Sequence, residues 1–96
     1  MEVRLNSTLR GLSGRRSVVL EPWEGGTVRD ALAETVAQLP MLDGRITEGE
    51  ELLPTVVVFL NGRNIRFYDG LNTNVQPDQI LDIFPRTGAQ RAFVKE

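Results

Sequence analysis

The chain has 96 residues, 41% of them hydrophobic and 25% charged, which is the composition of an ordinary globular domain. It contains no cysteine and no histidine, which excludes disulfides, thiolate or imidazole nucleophiles and the usual zinc ligands. The net charge of −2 disfavours nucleic acid as a partner, and the lack of a signal peptide or a long apolar stretch predicts a cytoplasmic protein without membrane contact.

The N-terminal part of the chain has the pattern of two strands. Apolar and polar residues alternate over Val3–Leu9, which predicts a half-buried strand. Gly11–Gly14 interrupts this pattern, and Ser17–Glu21 resumes a β-rich run, so we expect a hairpin with a long turn. The turn carries three arginines, which are Arg10, Arg15 and Arg16. They form either a solvated turn or a contact for an acidic partner.

One amphipathic helix follows. Thr27 can cap its start by accepting a hydrogen bond from the backbone amide near Asp30, and Pro40 ends it. The helix should cover one face of a sheet, because apolar residues recur at helical spacing: Val28, Ala31, Leu32, Val36 and Leu39. We expect a loop over Met41–Pro54, with one short helical turn near Glu50–Leu53.

Acidic side chains in this loop raise the question of a cation site. Glu48, Glu50 and Glu51 offer oxygens that suit magnesium or calcium, but they lack the spacing of a known binding loop. A solvated acidic loop is the favoured interpretation, and no metal site is predicted.

The second half of the chain contains the strongest strand signals. Thr55–Leu60 is a continuous β-branched run, which predicts a central strand with both faces buried. Asn61-Gly62 predicts a tight turn into a shorter edge strand over Arg63–Phe67. Ile80–Phe84 is the last predicted strand.

These elements together predict an α+β domain over residues 3–85, with one main helix packed on a mixed sheet of four to five strands. Val57, Phe59 and Phe84 fall inside strands and are assigned to the core. Residues 86–96 are predicted to form a C-terminal tail.

Several blocks, in this order and spacing, resemble the small ubiquitin-like sulfur carriers: Val3–Leu9, Gly26–Leu32, Val57–Phe67, Gly70–Thr73 and Ile80–Pro85. The sequence looks most like the small subunit of molybdopterin synthase, and less like the carrier of the thiamine pathway. The resemblance implies a ubiquitin-like β-grasp fold without a cofactor, metal or catalytic residue of its own. It also implies a C-terminal Gly-Gly that a larger activating enzyme adenylates with ATP and converts to a thiocarboxylate. The implied partners are that adenylating enzyme, the large subunit of molybdopterin synthase, or both.

The sequence departs from this family at its carboxyl end. Ala89-Gln90 stand where the terminal Gly-Gly pair is expected, and Gly88 is the only glycine after Gly70. Three interpretations stay open. A protease trims the chain near Gly88 and leaves Arg86-Thr87-Gly88 as the carrier tail, or the protein is a docking subunit without a carrier role. In the third, Ala92–Val94 add a strand to the sheet.

A partner surface is predicted at Arg66, Phe67, Tyr68 and Pro85. Tyrosine and arginine are favoured where protein interfaces concentrate their binding energy. Packing of the first three under a loop is an equally open alternative.

Overall fold

A computed structural model describes residues 1–85, so the predicted tail of residues 86–96 lies outside the described residues. The predicted α+β architecture is confirmed, because one main helix packs on one face of a five-stranded mixed sheet. The elements, in chain order, are β1 (Glu2–Leu5), α1 (Thr8–Ser13), β2 (Ser17–Val19), β3 (Gly26–Thr27), α2 (Val28–Gln38), β4 (Thr47–Glu48), β5 (Glu51–Leu52), β6 (Val56–Leu60), β7 (Arg63–Asn64), β8 (Asn74–Val75) and β9 (Ile80–Pro85). Three 3₁₀ turns occur at Pro40–Leu42, Ile65–Phe67 and Gly70–Asn72.

The main sheet has the strand order β2-β1-β9-β6-β7. β1 and β9 run parallel, whereas the other neighbouring strands are antiparallel. The last strand therefore occupies the centre of the sheet. β6, predicted to be central, has two neighbours but lies one position from the centre.

The core lies between the sheet and α2. Alternate residues of each long strand face the helix, since successive side chains of a strand point to opposite faces. Those facing residues include Val3, Leu5, Val58, Leu81 and Ile83, and each is fully buried. The helix contributes Val28, Ala31 and Leu32. Leu39 is also buried and Val36 packs against the core, so the predicted apolar stripe is confirmed.

The predicted start and end of α2 are also confirmed. The Oγ1 atom of Thr27 accepts a hydrogen bond from the amide of Asp30 at 3.2 Å, and the carboxylate of Asp30 accepts from the amide of Thr27 at 2.9 Å. This reciprocal capping box satisfies two amides that a helix start leaves unpaired. The helix ends at Gln38, before Pro40 begins a 3₁₀ turn.

The predicted N-terminal hairpin is confirmed in its antiparallel pairing of β1 with β2, but the strand expected over Val3–Leu9 is too long. β1 ends at Leu5, and a short helix, α1, joins it to β2. Ser7 has φ 57°, which turns the chain out of the strand, and Leu9 then packs into the core. Gly14, at φ 72°, ends the helix in the left-handed conformation that glycine adopts without steric cost. The alternation of Leu5 and Leu9 therefore arises from two different elements.

Two other local predictions are corrected. The expected helical turn near Glu50–Leu53 is a small hairpin, in which β4 pairs with β5 across Gly49 at φ 62°. The edge strand expected over Arg63–Phe67 ends at Asn64, whose side-chain oxygen accepts a hydrogen bond from the amide of Arg66 at 2.9 Å. That bond caps the start of a 3₁₀ turn, and the turn buries Ile65.

Candidate functional site

The chain leaves the sheet at Pro85, the last residue of the central strand. Pro85 pairs with Val56 of β6, and the carbonyl of Ile83 accepts hydrogen bonds from the amide and the side chain of Asn6, at 3.2 and 3.1 Å. Strands on both sides therefore hold β9 close to its end. The predicted carrier tail, Arg86, Thr87 and Gly88, follows immediately and lies outside the described residues.

The sheet face opposite α2 carries an aromatic pair. Val57, Phe59 and Phe84, predicted to be core, are only half-buried and point away from the helix, so that prediction is wrong. The physical reason is strand alternation, because β6 and β9 each have one face on α2 and one face outward. The rings of Phe59 and Phe84 pack edge to face with centroids 5.6 Å apart. With Gly62 and Asp82, the three residues line a concavity of about 370 Å³.

A second aromatic group lies at the β7 edge of the sheet. The guanidinium carbon of Arg63 is 5.9 Å from the ring centre of Phe67 and 5.7 Å from that of Tyr68. Phe67 is 69% exposed and Tyr68 47% exposed, and Arg63 is exposed too, so a guanidinium close to two aromatic rings is presented to solvent. The sequence predictions missed Arg63. Its position just after the Asn61-Gly62 turn is the signal that could have placed it beside the aromatic residues.

The four predicted partner-surface residues adjoin different features of the structure. Arg66 is exposed and lines a separate concavity of about 330 Å³ on the β7 side of β6. Pro85 is paired with Val56 on the β9 side of β6. Phe67 and Tyr68 lie instead near Arg63, which is paired with Leu60. Val56 and Leu60 are about 13 Å apart along the strand. Pro85 and Arg63 are thus paired with residues at opposite ends of β6.

The acidic loop offers no grouped metal ligands. Within residues 1–85, no three acidic, histidine or cysteine side chains come together as a metal site would require. Glu50 pairs instead with Arg29, with 3.4 Å between Oε1 and Nη1. In the same part of the chain, every helix is too short or too polar to cross a bilayer.

Comparison with known proteins gives consistent matches over nearly the whole chain. Residues 3–88 match the model of the ThiS family. Small archaeal modifier protein 3 of Haloferax volcanii is 32% identical over 85 residues, which are 88% of this chain and 92% of that protein. The crystal structure of SAMP1 from Haloferax volcanii superimposes with a TM-score of 0.80 at 27% identity and covers 91% of this chain and 94% of that one. A chain of the Amycolatopsis orientalis BexX/CysO complex superimposes with a TM-score of 0.78 at 25% identity, covering 91% and 96%.

The fold and these relatives define the class: a small ubiquitin-like protein with the β-grasp fold, which confirms the fold that the resemblance implied. Its relatives are small carrier and modifier proteins rather than enzymes. The chain belongs to the ThiS family of ubiquitin-like sulfur carriers.

Proposed function

We propose that this protein is a sulfur carrier of the molybdopterin synthase small-subunit type, whose segment after Pro85 enters the active site of a larger enzyme. The observation that carries the proposal is the extent of the family match, which runs past the central strand and ends at Gly88. Arg86-Thr87-Gly88 would form the reactive end. A terminal glycine suits this role because it has no side chain and adopts backbone angles that other residues avoid.

The partners would supply the chemistry. The activating enzyme joins the terminal carboxylate to the α-phosphorus of ATP and releases pyrophosphate. Sulfide then attacks the acyl carbon and displaces AMP, which leaves a thiocarboxylate. The large subunit of molybdopterin synthase would consume that sulfur. The need for ATP assigns the reaction to the cytoplasm, and the carrier contributes a terminal carboxylate without a cofactor or catalytic side chain.

The proposal requires processing of the chain. Eight residues follow Gly88. Extended, they would add up to ~26 Å beyond the proposed reactive carboxylate. A protease that cleaves after Gly88 would expose that carboxylate.

The surfaces beside the exit support a role in docking. Val57 of β6 and Phe84 of β9 are half-buried, paired neighbours on the outer face of the sheet. Phe84 lies one residue before the end of β9. A partner that receives the tail would cover this apolar area and remove it from water. Arg66, Phe67, Tyr68 and Pro85 complete the proposed partner surface, and the exposed aromatics are suited to anchor a protein contact.

The test compares three chains: full length, ending at Gly88, and ending at Gly88 with Gly88→Ala. Each is incubated with ATP, sulfide and the activating enzyme of the same organism, and the intact mass is measured. We expect only the chain that ends in glycine to gain the mass difference between sulfur and oxygen. The intact mass of the protein isolated from its native host should also correspond to a chain that ends at Gly88. Equal mass gain by the alanine variant would contradict the role of glycine, and no gain by any chain would contradict the carrier role.

A docking subunit without a carrier role is the alternative function. The absence of the family's terminal Gly-Gly favours it. The full-length chain, a chain that ends at Pro85 and a chain that ends at Gly88 together separate the two functions. The docking alternative predicts that the longer tail, residues 86–96, is needed for complex formation and that no thiocarboxylate forms. Unchanged affinity after deletion of that tail would count against it.

A further inference from the structure

One end of the molecule is strongly basic. No acidic residue occurs between Glu2 and Glu21, whereas this segment contains Arg4, Arg10, Arg15 and Arg16. The tail carries +2, which leaves −4 on residues 1–85. The basic segment is thus a local exception on an acidic body.

Three of these arginines have no acidic partner in the described part of the chain. Arg4 contacts Glu2 at 3.7 Å, and the other ion pair within residues 1–85 joins Arg29 to Glu50. Arg10, Arg15 and Arg16 are all exposed, and no carboxylate of residues 1–85 lies within ion-pair distance of them. We call these three residues the basic cluster. Their charge is therefore available to another molecule.

The basic cluster lies at the end of the sheet from which the chain exits. β1 and β9 are parallel, so both strands end at the same edge, with Leu5 paired to Ile83. Asn6, which follows β1, is bonded through its amide and its side chain to the carbonyl of Ile83, two residues before Pro85. α1 also contacts β9. A protein that receives the tail must approach the molecule from this end.

The loop that carries the cluster has a defined conformation. The amide of Gly14 donates to the carbonyl of Arg10 at 2.8 Å, and the hydroxyl of Ser13 accepts from the amide of Arg15 at 3.2 Å. Nε of Arg10 donates to the carbonyl of Leu5 at 3.4 Å. Since the backbone is already ordered, binding here would cost little loop entropy.

The surroundings of the cluster favour a protein surface over a nucleic acid. Leu12 on α1 is 45% exposed, and Met41, in the turn that α1 contacts, is 49% exposed. Arginine beside exposed apolar side chains is typical of protein interfaces. A long polyanion would also be repelled by the −4 charge of the described body. The matching occupant is an acidic, partly apolar protein face.

We propose that the basic cluster docks on an acidic face beside the pocket of the enzyme that receives the tail. This inference rests on the proposed carrier function and names the surface that recruits its partner. The cluster steers the carrier so that Pro85 and the residues after it approach the pocket in the correct orientation.

The test uses the Gly88-ended carrier and its activating enzyme. Substitutions are made at Arg15 and Arg16, whose side chains make no hydrogen bonds among the described residues. R15Q/R16Q removes two positive charges, and R15K/R16K keeps them. N74D/Q76E makes the same net charge change near the opposite end of β9, on exposed side chains. The initial rate of thiocarboxylate formation is measured by mass at 50 and 500 mM KCl, spanning weak and strong screening of exposed charges.

We expect R15Q/R16Q to lower kcat/KM for the carrier about tenfold at low salt, with kcat unchanged, and the difference to vanish at high salt. R15K/R16K and N74D/Q76E should behave like the parent chain. A parent-like kcat/KM for R15Q/R16Q, or an equal loss in N74D/Q76E, would overturn the docking surface while leaving the carrier function intact. Circular dichroism of each variant checks that it folds.

A binding measurement without ATP separates the two proposals. Calorimetric titration of the enzyme with each carrier should show weaker binding by R15Q/R16Q at low salt only. If the parent chain binds more tightly than R15Q/R16Q at low salt but gains no sulfur, the result supports the docking surface and contradicts the carrier function. If the parent does not bind at all, both fall.

Discussion

Phe59 and Phe84 pack edge to face on the outer side of the sheet, with ring planes at 83° and centroids 5.6 Å apart. Phe84 lies one residue before Pro85, so this contact joins the last strand to β6 close to the exit. The pair thus helps to hold the strand from which the tail emerges, and it does so on a face that α2 leaves uncovered.

We expect this aromatic contact to be measurable as a coupling energy. Phe59→Leu and Phe84→Leu should each destabilise the fold, and the double variant should lose less than the sum, with a coupling of about 0.5–1.5 kcal/mol. Urea unfolding of the four proteins gives the cycle. Phe59→Leu combined with Val19→Ala, an exposed residue on β2, is the control that should be additive. Strict additivity of the two aromatic substitutions would contradict the contact.

Two glycines should respond in opposite directions to alanine. At Gly26, which has φ 154°, an added Cβ would lie 2.9 Å from the carboxylate of Asp30 and 3.3 Å from the ring of Trp23. Gly26→Ala should therefore destabilise the protein by about 1–3 kcal/mol through strain and disturbance of the capping box. Gly11 lies in α1 and has nothing within 4 Å of its added Cβ, so Gly11→Ala should stabilise by about 0.5–1 kcal/mol. Thermal unfolding of both variants checks the signs, and a stabilised Gly26→Ala would refute the close approach.

The turn between β6 and β7 should depend on asparagine. Asn61 has φ 49° and Gly62 φ 83°, and Oδ1 of Asn61 accepts a hydrogen bond from the amide of Ile80 at 2.8 Å. Asn61→Ala loses that acceptor and places a poorly suited residue in the left-handed region, which should cost about 1–3 kcal/mol. Asn61→Asp keeps an acceptor and should retain most of the stability. Chemical unfolding distinguishes them, and an equal loss in both variants would argue against the hydrogen bond.

The parts of the fold that are encoded locally were predictable from the sequence. The cap of α2 needs only Thr27 and Asp30 at the correct spacing, and the tight turn needs only Asn61-Gly62. α1 was not predictable in this way. Its sequence from Thr8 to Ser13 contains Gly11 and continues an apparent alternation, and the helix forms because Leu9 fills the core that β9 and α2 create. Tertiary packing decides such a segment.

The candidate site was predictable in part, for a related reason. The apolar run of β6 is typical of a strand that is buried on both faces, and nothing local reveals that only one face meets a helix. The outward positions of Phe59 and Phe84 follow from the number of layers in the whole domain. Arg63 was missed because its ring contacts depend on the 3₁₀ turn at Ile65–Phe67, which the sequence pattern concealed.

The exposed aromatic edge leads to a prediction that separates docking from stability. Phe67 is 69% exposed and Val19, on the opposite edge strand, is 52% exposed, so either residue can be made polar with little loss of core packing. Phe67→Ser and Val19→Ser should each change the free energy of unfolding by less than about 1 kcal/mol.

If the β7 edge contacts a partner, Phe67→Ser should weaken binding of the Gly88-ended chain to its activating enzyme, whereas Val19→Ser should not. We expect a loss of about tenfold or more, because aromatic anchors dominate interface energies. Arg63→Met should weaken it less, since it removes the charge beside the rings but keeps a long side chain. Calorimetric titration measures all three variants, with unfolding curves as the check on folding. Equal affinities for Phe67→Ser and Val19→Ser would place the partner elsewhere and leave the outer face and the basic cluster to provide the contact.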